Sequence, residues 1–127
     1  MCHQTVSLIA RYLEAHEVPT VIMGCARDIV EHAGVPRFVF SDFPLGNSAG
    51  KPNDQASQRA TLQLALDLFD AATGPGSTVV SPQAWADDDA WRFDFMNIDA
   101  LPAGRIEQLK REFAEQKRIA NGIKSRA

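Results

Sequence analysis

Val6, Ile9, Ala10 and Leu13 recur at helical spacing, which predicts a first helix over residues 4–16 with one buried stripe. Pro19 prevents its continuation. The run Thr20-Val21-Ile22-Met23 is short, β-branched and apolar at successive positions, the pattern of a strand buried between two layers. Ile29, Val30 and Ala33 give a short second helix stopped by Gly34 and Pro36, and Phe38-Val39-Phe40 a second strand. From Ser41 to Asn53, prolines and glycines without periodicity predict a long loop. Asn53 or Asp54 can cap a third helix whose apolar face is drawn from Leu62, Ala65, Leu66 and Phe69 with Ala56 and Ala72. Thr73 to Ser77 ends that helix, and Thr78-Val79-Val80 reads as a strand or as an arm. Ser81-Pro82 reads as a helix start carrying Trp85 and Trp91 on either side of Asp87, Asp88 and Asp89. Ile106, Leu109, Phe113 and Ala120 mark a C-terminal helix that Asn121-Gly122 is expected to stop.

This order defines an α/β protein: a small three-layer, Rossmann-like domain with a short parallel sheet and a C-terminal helical arm. Residues 1–76 form the α/β module, and residues 77–127 an extension that belongs to the same domain or serves as an oligomerisation arm. The 127 residues, 45% hydrophobic and 23% charged, suit one ordinary globular domain rather than a disordered or fibrous chain. No apolar run approaches the roughly 20 residues of a membrane span. The N-terminus lacks a basic segment followed by an apolar one, so the expected location is the cytoplasm, where both cysteines read as thiols rather than as a disulfide. A net charge of -3 gives no general attraction for nucleic acid. Residues 105–127 nevertheless hold seven Lys or Arg against three Glu, which we read as a solvated helix face or as contacts to the body or to another copy. The narrow apolar seam of the same helix makes a homo-oligomer an expectation.

Path length brings the reactive residues together. A first helix of about 12 residues spans roughly 18 Å, comparable with the reach of the strand that returns beside it. Cys2 and His3 therefore share an edge with Cys25, which follows the first strand and opens the second helix, and the loop from Ser41 leaves that edge too. Ligands of open α/β sheets bind outside the carboxyl ends of the strands. The candidate site is accordingly Cys2, His3 and Cys25 as catalytic residues, with Arg27, Asp42, Gly46 and Lys51 holding a small carboxylate or amine substrate. A cysteine at a helix N-terminus beside Arg27 or His3 is expected to keep its thiolate more readily than an isolated one. The competing reading makes Cys25 a small apolar residue filling a corner, and Cys2 part of a frayed terminus. His16 and His32, near helix ends, read as structural. Cys2-His3 plus a single Cys25 gives no paired metal-ligand pattern, so neither metal nor cofactor is expected. Gly46 to Lys51 is superficially like a phosphate loop, but three residues separate the glycines and Pro52 stands where a magnesium-binding hydroxyl is needed. Its amides still suit a carboxylate or small anion, assisted by Lys51. Asp87, Asp88 and Asp89 point different ways on a helix and read as a solvated cap.

Four segments taken in order, Ile-Ala-Arg-Tyr-Leu-Glu-Ala-His-Glu-Val-Pro-Thr-Val (9–21), Ala-Arg-Asp-Ile-Val (26–30), Gly-Val-Pro-Arg (34–37) and Phe-Pro-Leu-Gly (43–46), resemble the glycine/sarcosine/betaine and D-proline reductase selenoprotein B family. The resemblance covers residues 2 to about 72 and is to the family's carboxyl-terminal α/β part. It implies reductive cleavage of an amino acid or related amine through a selenocysteine or cysteine followed closely by a second cysteine, together with a partner subunit bearing a pyruvoyl group. One position carries over: Cys2 of Cys2-His3-Gln4-Thr5-Val6 matches the second cysteine, and the selenocysteine or first cysteine falls before Met1. Three alternatives follow. Another polypeptide supplies the nucleophile, or Cys2 and Cys25 do different thiol work, or the module binds a ligand or partner without catalysis. Under the leading reading Cys2 is nucleophile or resolving thiol, assisted by His3 or the helix dipole. The sequence after Pro75 has no counterpart in the family.

Overall fold

The computed structural model describes residues 2–94 and 101–124, in two compact units, Met1–Asp88 and Asp89–Ala127. In the first unit the order is α1 (Cys2–Glu14), β1 (Ile22–Gly24), α2 (Arg27–Ala33), β2 (Arg37–Phe40), α3 (Gln55–Ala71) and β3 (Ser77–Val80). The strands form one parallel sheet in the order β1-β2-β3, with Gly24 opposite Phe40 and Phe40 opposite Val80. The stretch Thr78–Val80 is thus a strand. Alternation along the strands divides the core. Ile22 and Phe38 pack with Ala10 of α1, Val30 of α2 and Val35 on one face. Val39 packs with Ala65 and Leu68 of α3 on the other. The result is a small three-layer α/β fold. Two right-handed crossovers stepping the same way across a sheet would leave both helices on one face. Here α2 and α3 lie on opposite faces, so the two crossovers differ in hand. The long connection after β2 carries the chain over the carboxyl edge to the far layer.

The sequence pattern names α1, α2, α3 and the C-terminal helix and places Ala10, Val30 and Ala65 correctly in the core, but it misplaces the larger residues of the α1 and α3 faces. In α1, which starts at Cys2 and ends at Glu14 rather than spanning 4–16, the buried residues are Ser7 and Ala10, while Val6 and Ile9 face solvent. The Ser7 hydroxyl donates to the His3 carbonyl at 2.7 Å, so this small polar residue carries no unmet hydrogen bond into the interface. In α3 the buried set is Ser57, Thr61, Ala65 and Leu68, and the expected Leu62, Leu66 and Phe69 point outward. Again the hydroxyls are satisfied. Thr61 donates to the Ser57 carbonyl at 3.0 Å, Ser57 donates to Gln83 Oε1 at 2.6 Å, and Gln83 Nε2 donates to Thr61 at 2.9 Å. Asp54, one of the two expected caps, accepts from the Ser57 amide at 2.9 Å. Gly50, at φ 107°, lies against the first turn of α3, where a Cβ would come within 2.7 Å of the Gln58 backbone. The loop can approach the helix that closely only with glycine there.

At the opposite end of the sheet Glu14 Oε1 accepts from the Thr20 amide, from the Thr20 hydroxyl at 2.9 Å and from Arg37 at 2.9 Å, tying α1 to the start of β2. No helix begins at Ser81-Pro82. Ser81 instead extends the ladder by donating its amide to the Phe40 carbonyl at 2.7 Å, and Trp85 packs its ring against Phe43. In the second unit α4 (Trp91–Asp94) follows Asp89, which accepts from the Arg92 amide and side chain, and α5 (Ala103–Lys124) runs on through Asn121-Gly122 instead of stopping there. Glu107–Arg111 and Glu115–Arg118 pairs occupy its solvated face, and Leu101, Ile106, Leu109, Lys110 and Phe113 line a shallow groove of about 290 Å³. Among the described residues no helix is long and apolar enough to cross a membrane.

Candidate thiol site at the carboxyl edge of the sheet

Three elements converge beyond the end of β1. The first turn of α1 supplies Cys2, which is exposed, and His3, which is half-buried. The turn between β1 and α2 supplies Cys25, and the connection from β2 to α3 supplies Asp42, Phe43, Asn47 and Ser48. Path length therefore placed His3 and Cys25 correctly. The Cys25 amide donates to His3 Nε2 at 3.0 Å. That bond needs the Nε2 lone pair, so the geometry assigns the ring proton to Nδ1. His3 thus engages the β1–α2 corner through the ring nitrogen that Cys25 occupies.

Gly24 makes this arrangement possible. A Cβ at Gly24 would lie 2.9 Å from His3 Cδ2 and 3.1 Å from Phe38 Cε2. The imidazole occupies the space a side chain would take, and Gly24 is as much a part of the site as the residues that touch it. The sequence carries a signal for it, since glycine in a strand marks a close approach. Ser48 gave no such signal. Its hydroxyl lies 3.8 Å from Cys25 Sγ, as acceptor of the thiol proton, and 3.5 Å from His3 Nε2.

The charge state expected for Cys25 is reversed. Burial pushes its thiol up, only partly offset by the polar groups of Ser48 and of the Phe43 and Asn47 backbone, and the nearby Asp42 carboxylate pushes it further. Cys25 precedes α2 by two residues, and desolvation outweighs whatever the short helix contributes. The candidate substrate residues are spread more widely. Arg27, the first residue of α2, is exposed, pairs with Glu31 at 2.9 Å and lies over the Phe40 ring. Asp42 is half-buried beside Cys25, and Gly46 is exposed at the loop tip. Lys51 lines a cleft of about 360 Å³ at the start of α3 with Asp54, Ser57 and Gln83. His16 bonds through Nδ1 to the Tyr12 carbonyl at 2.8 Å, while His32 lines a groove of about 690 Å³ between α1 and α2 with Leu8, Arg11 and Ile29. Among the described residues no three His, Cys, Asp or Glu side chains converge as a metal site requires.

Fold and site together define a small parallel α/β unit with a cysteine–imidazole cluster at its carboxyl edge. Over 81 residues the chain is 34% identical to D-proline reductase subunit gamma of Acetoanaerobium sticklandii, and it is a homologue of part of that reductase subunit. The match takes in 64% of this chain and 34% of the relative, so the chain spans about a third of that protein's length. No family model and no solved structure matches.

Proposed function

We propose that this chain is a thiol-bearing subunit of a reductase that cleaves an amino acid or related amine, and that it works with at least one further subunit. The observation that carries the reading is the 81-residue relationship to a D-proline reductase subunit. The bond between the Cys25 amide and His3 at the carboxyl edge, one residue from Cys2, supplies the supporting geometry. Cys2, exposed on the first residue of a helix, is the thiol that meets substrate or partner. Cys25 and His3 form the wall behind it. Arg27, Asp42, Gly46 and Lys51 bind the substrate's charged groups, with Arg27 leaving its Glu31 pair to do so. The outward apolar residues of α1 and α3, among them Leu8, Ile9, Leu62 and Leu66, support the subunit reading, because a subunit buries such stripes against its partner.

The test combines the purified chain with the remaining subunits of the reductase, a dithiol as electron donor, and D-proline or another small amino acid. Substrate-dependent dithiol oxidation that disappears in Cys2→Ser is the expected result. Oxidation that never depends on this chain, or that survives Cys2→Ser intact, overturns it. The second reading, a module that assembles with a partner without catalysis, is favoured by the raised Cys25 thiol, and it gains if Cys2→Ser leaves partner capture unchanged.

A further inference from the structure

We propose that the groove between α1 and α2 is a dimerisation face, covered by the same groove of a second copy of this chain across a two-fold axis. The inference rests on the subunit reading only in that these apolar stripes are covered, and it deepens that reading by naming the occupant. The groove, of about 690 Å³, is apolar at its middle, where Leu8 of α1 lies beside Ile29 of α2 with 53% and 40% of their surfaces exposed. Tyr12, one turn beyond Leu8, and Ile9 carry the apolar strip outward along α1, and the Tyr12 ring is held against His16 at 4.3 Å. A continuous apolar strip rimmed by charge marks a contact face, whereas single exposed apolar residues do not.

The placement of charge selects a second copy as the occupant. Both helices start at the carboxyl edge of the sheet and run the same way, and Arg11 Nη1 donates to the Ala33 carbonyl at 3.1 Å where they end. Asp28, the second residue of α2, therefore stands at the carboxyl-edge end of the groove and Arg11 at the other. Among the described residues these two form no ion pair with each other, while the neighbouring Arg27 and Glu31 neutralise one another at 2.9 Å. One groove thus has a carboxylate at one end, a guanidinium at the other and apolar side chains between. A surface with the same two poles in the opposite order matches both ends, and the groove itself becomes that surface when turned about a suitable axis. A two-fold axis in the contact plane, perpendicular to the line from Asp28 to Arg11, sets the Arg11 of each copy opposite the Asp28 of the other and closes the apolar middle on its counterpart. Four large side chains, each already partly buried, cover less than the roughly 800 Å² per partner of a standard interface, so the dimer is expected at micromolar rather than nanomolar concentration.

The experiment is sedimentation velocity of the full chain across the micromolar range, with charge reversals at the two poles. The parent should pass from monomer to dimer. Asp28→Arg and Arg11→Glu should each weaken the dimer at least about tenfold, because each sets two like-charge pairs across the axis. Mixed in equal amounts, the two variants should dimerise as the parent does, since both pairs of the mixed dimer are again of opposite sign. That recovery also shows that both variants fold. Arg11→Glu gives up the Ala33 bond, and should it fail to fold, Asp28→Arg decides alone, because Asp28 makes no ion pair or side-chain hydrogen bond among the described residues. A parent that stays monomeric overturns the proposal, whichever other subunit then covers the groove. So does a dimer unmoved by both reversals, which would belong to another surface such as the seam of α5, and so does a mixture of folded variants that stays monomeric. No thiol or substrate enters the readout, so this proposal and the reductase reading fail separately.

Discussion

Gly24→Ala tests the construction of the site most directly. In an unstrained strand, exchanging glycine for alanine stabilises a protein by about 0.4–1 kcal/mol through the unfolded chain. Here that gain is opposed by contact. The new Cβ would stand 2.9 Å from His3 Cδ2 and 3.1 Å from Phe38 Cε2. Phe38 is 1% exposed and has nowhere to go, and His3 is held by its bond to the Cys25 amide. Overpacking of this kind costs roughly 1–3 kcal/mol, and displacing the imidazole loses a hydrogen bond worth about 1 kcal/mol. The net expectation is a destabilisation of about 1–3.5 kcal/mol after the chain-entropy gain is set against both. Urea unfolding followed by Trp85 fluorescence, which reports on the unit containing the site, measures it. In a His3→Ala background the nearer obstacle is absent, so the same substitution should cost at least about 1 kcal/mol less. The reasoning is refuted if the two changes add within about 0.5 kcal/mol, or if Gly24→Ala alone is neutral.

Burial raises the Cys25 thiol, so the folded chain holds that proton more tightly than the unfolded chain does. The stability this contributes is complete below the unfolded thiol pKa of about 8.5 and is lost as pH rises beyond it. The urea midpoint should therefore fall more steeply in alkali for the parent than for Cys25→Ala; parallel curves would contradict the shift. Glu14→Ala leaves Arg37 and the Thr20 amide without their shared acceptor and should cost about 2 kcal/mol, with Glu14→Gln recovering part. An unchanged urea midpoint in Glu14→Ala would show that the cluster adds nothing. Leu68→Ala, at a site 3% exposed, should cost about 2–4 kcal/mol, and Leu66→Ala, at a site 50% exposed, less than about 1 kcal/mol. The reverse order, read from the same unfolding curves, would mean that α3 turns its other face to the sheet.

The alternation of helices and strands was legible because its signals are local: apolar consecutive residues for strands that are covered on both sides, an Asp cap, and proline and glycine stops. The meeting of His3 with Cys25 was legible too, since it follows from element lengths alone. Helix orientation was not, and the reason is specific. Period counting assigns the richest apolar stripe to the core, yet Ser7, Ser57 and Thr61 hide there at little cost. Ser7 and Thr61 return their hydroxyls to the carbonyl four residues earlier, Ser57 gives its hydroxyl to Gln83, and their small size lets the helices lie close to the sheet. The bulkier Val6, Ile9, Leu62 and Leu66 are then left outward. The same preference for small residues at close approaches produced Gly24 beneath His3 and Gly50 against α3. At the carboxyl edge, then, what shapes the site is less the reactive residues than the small ones that let them come near, and a sequence read for its chemistry looks past those first.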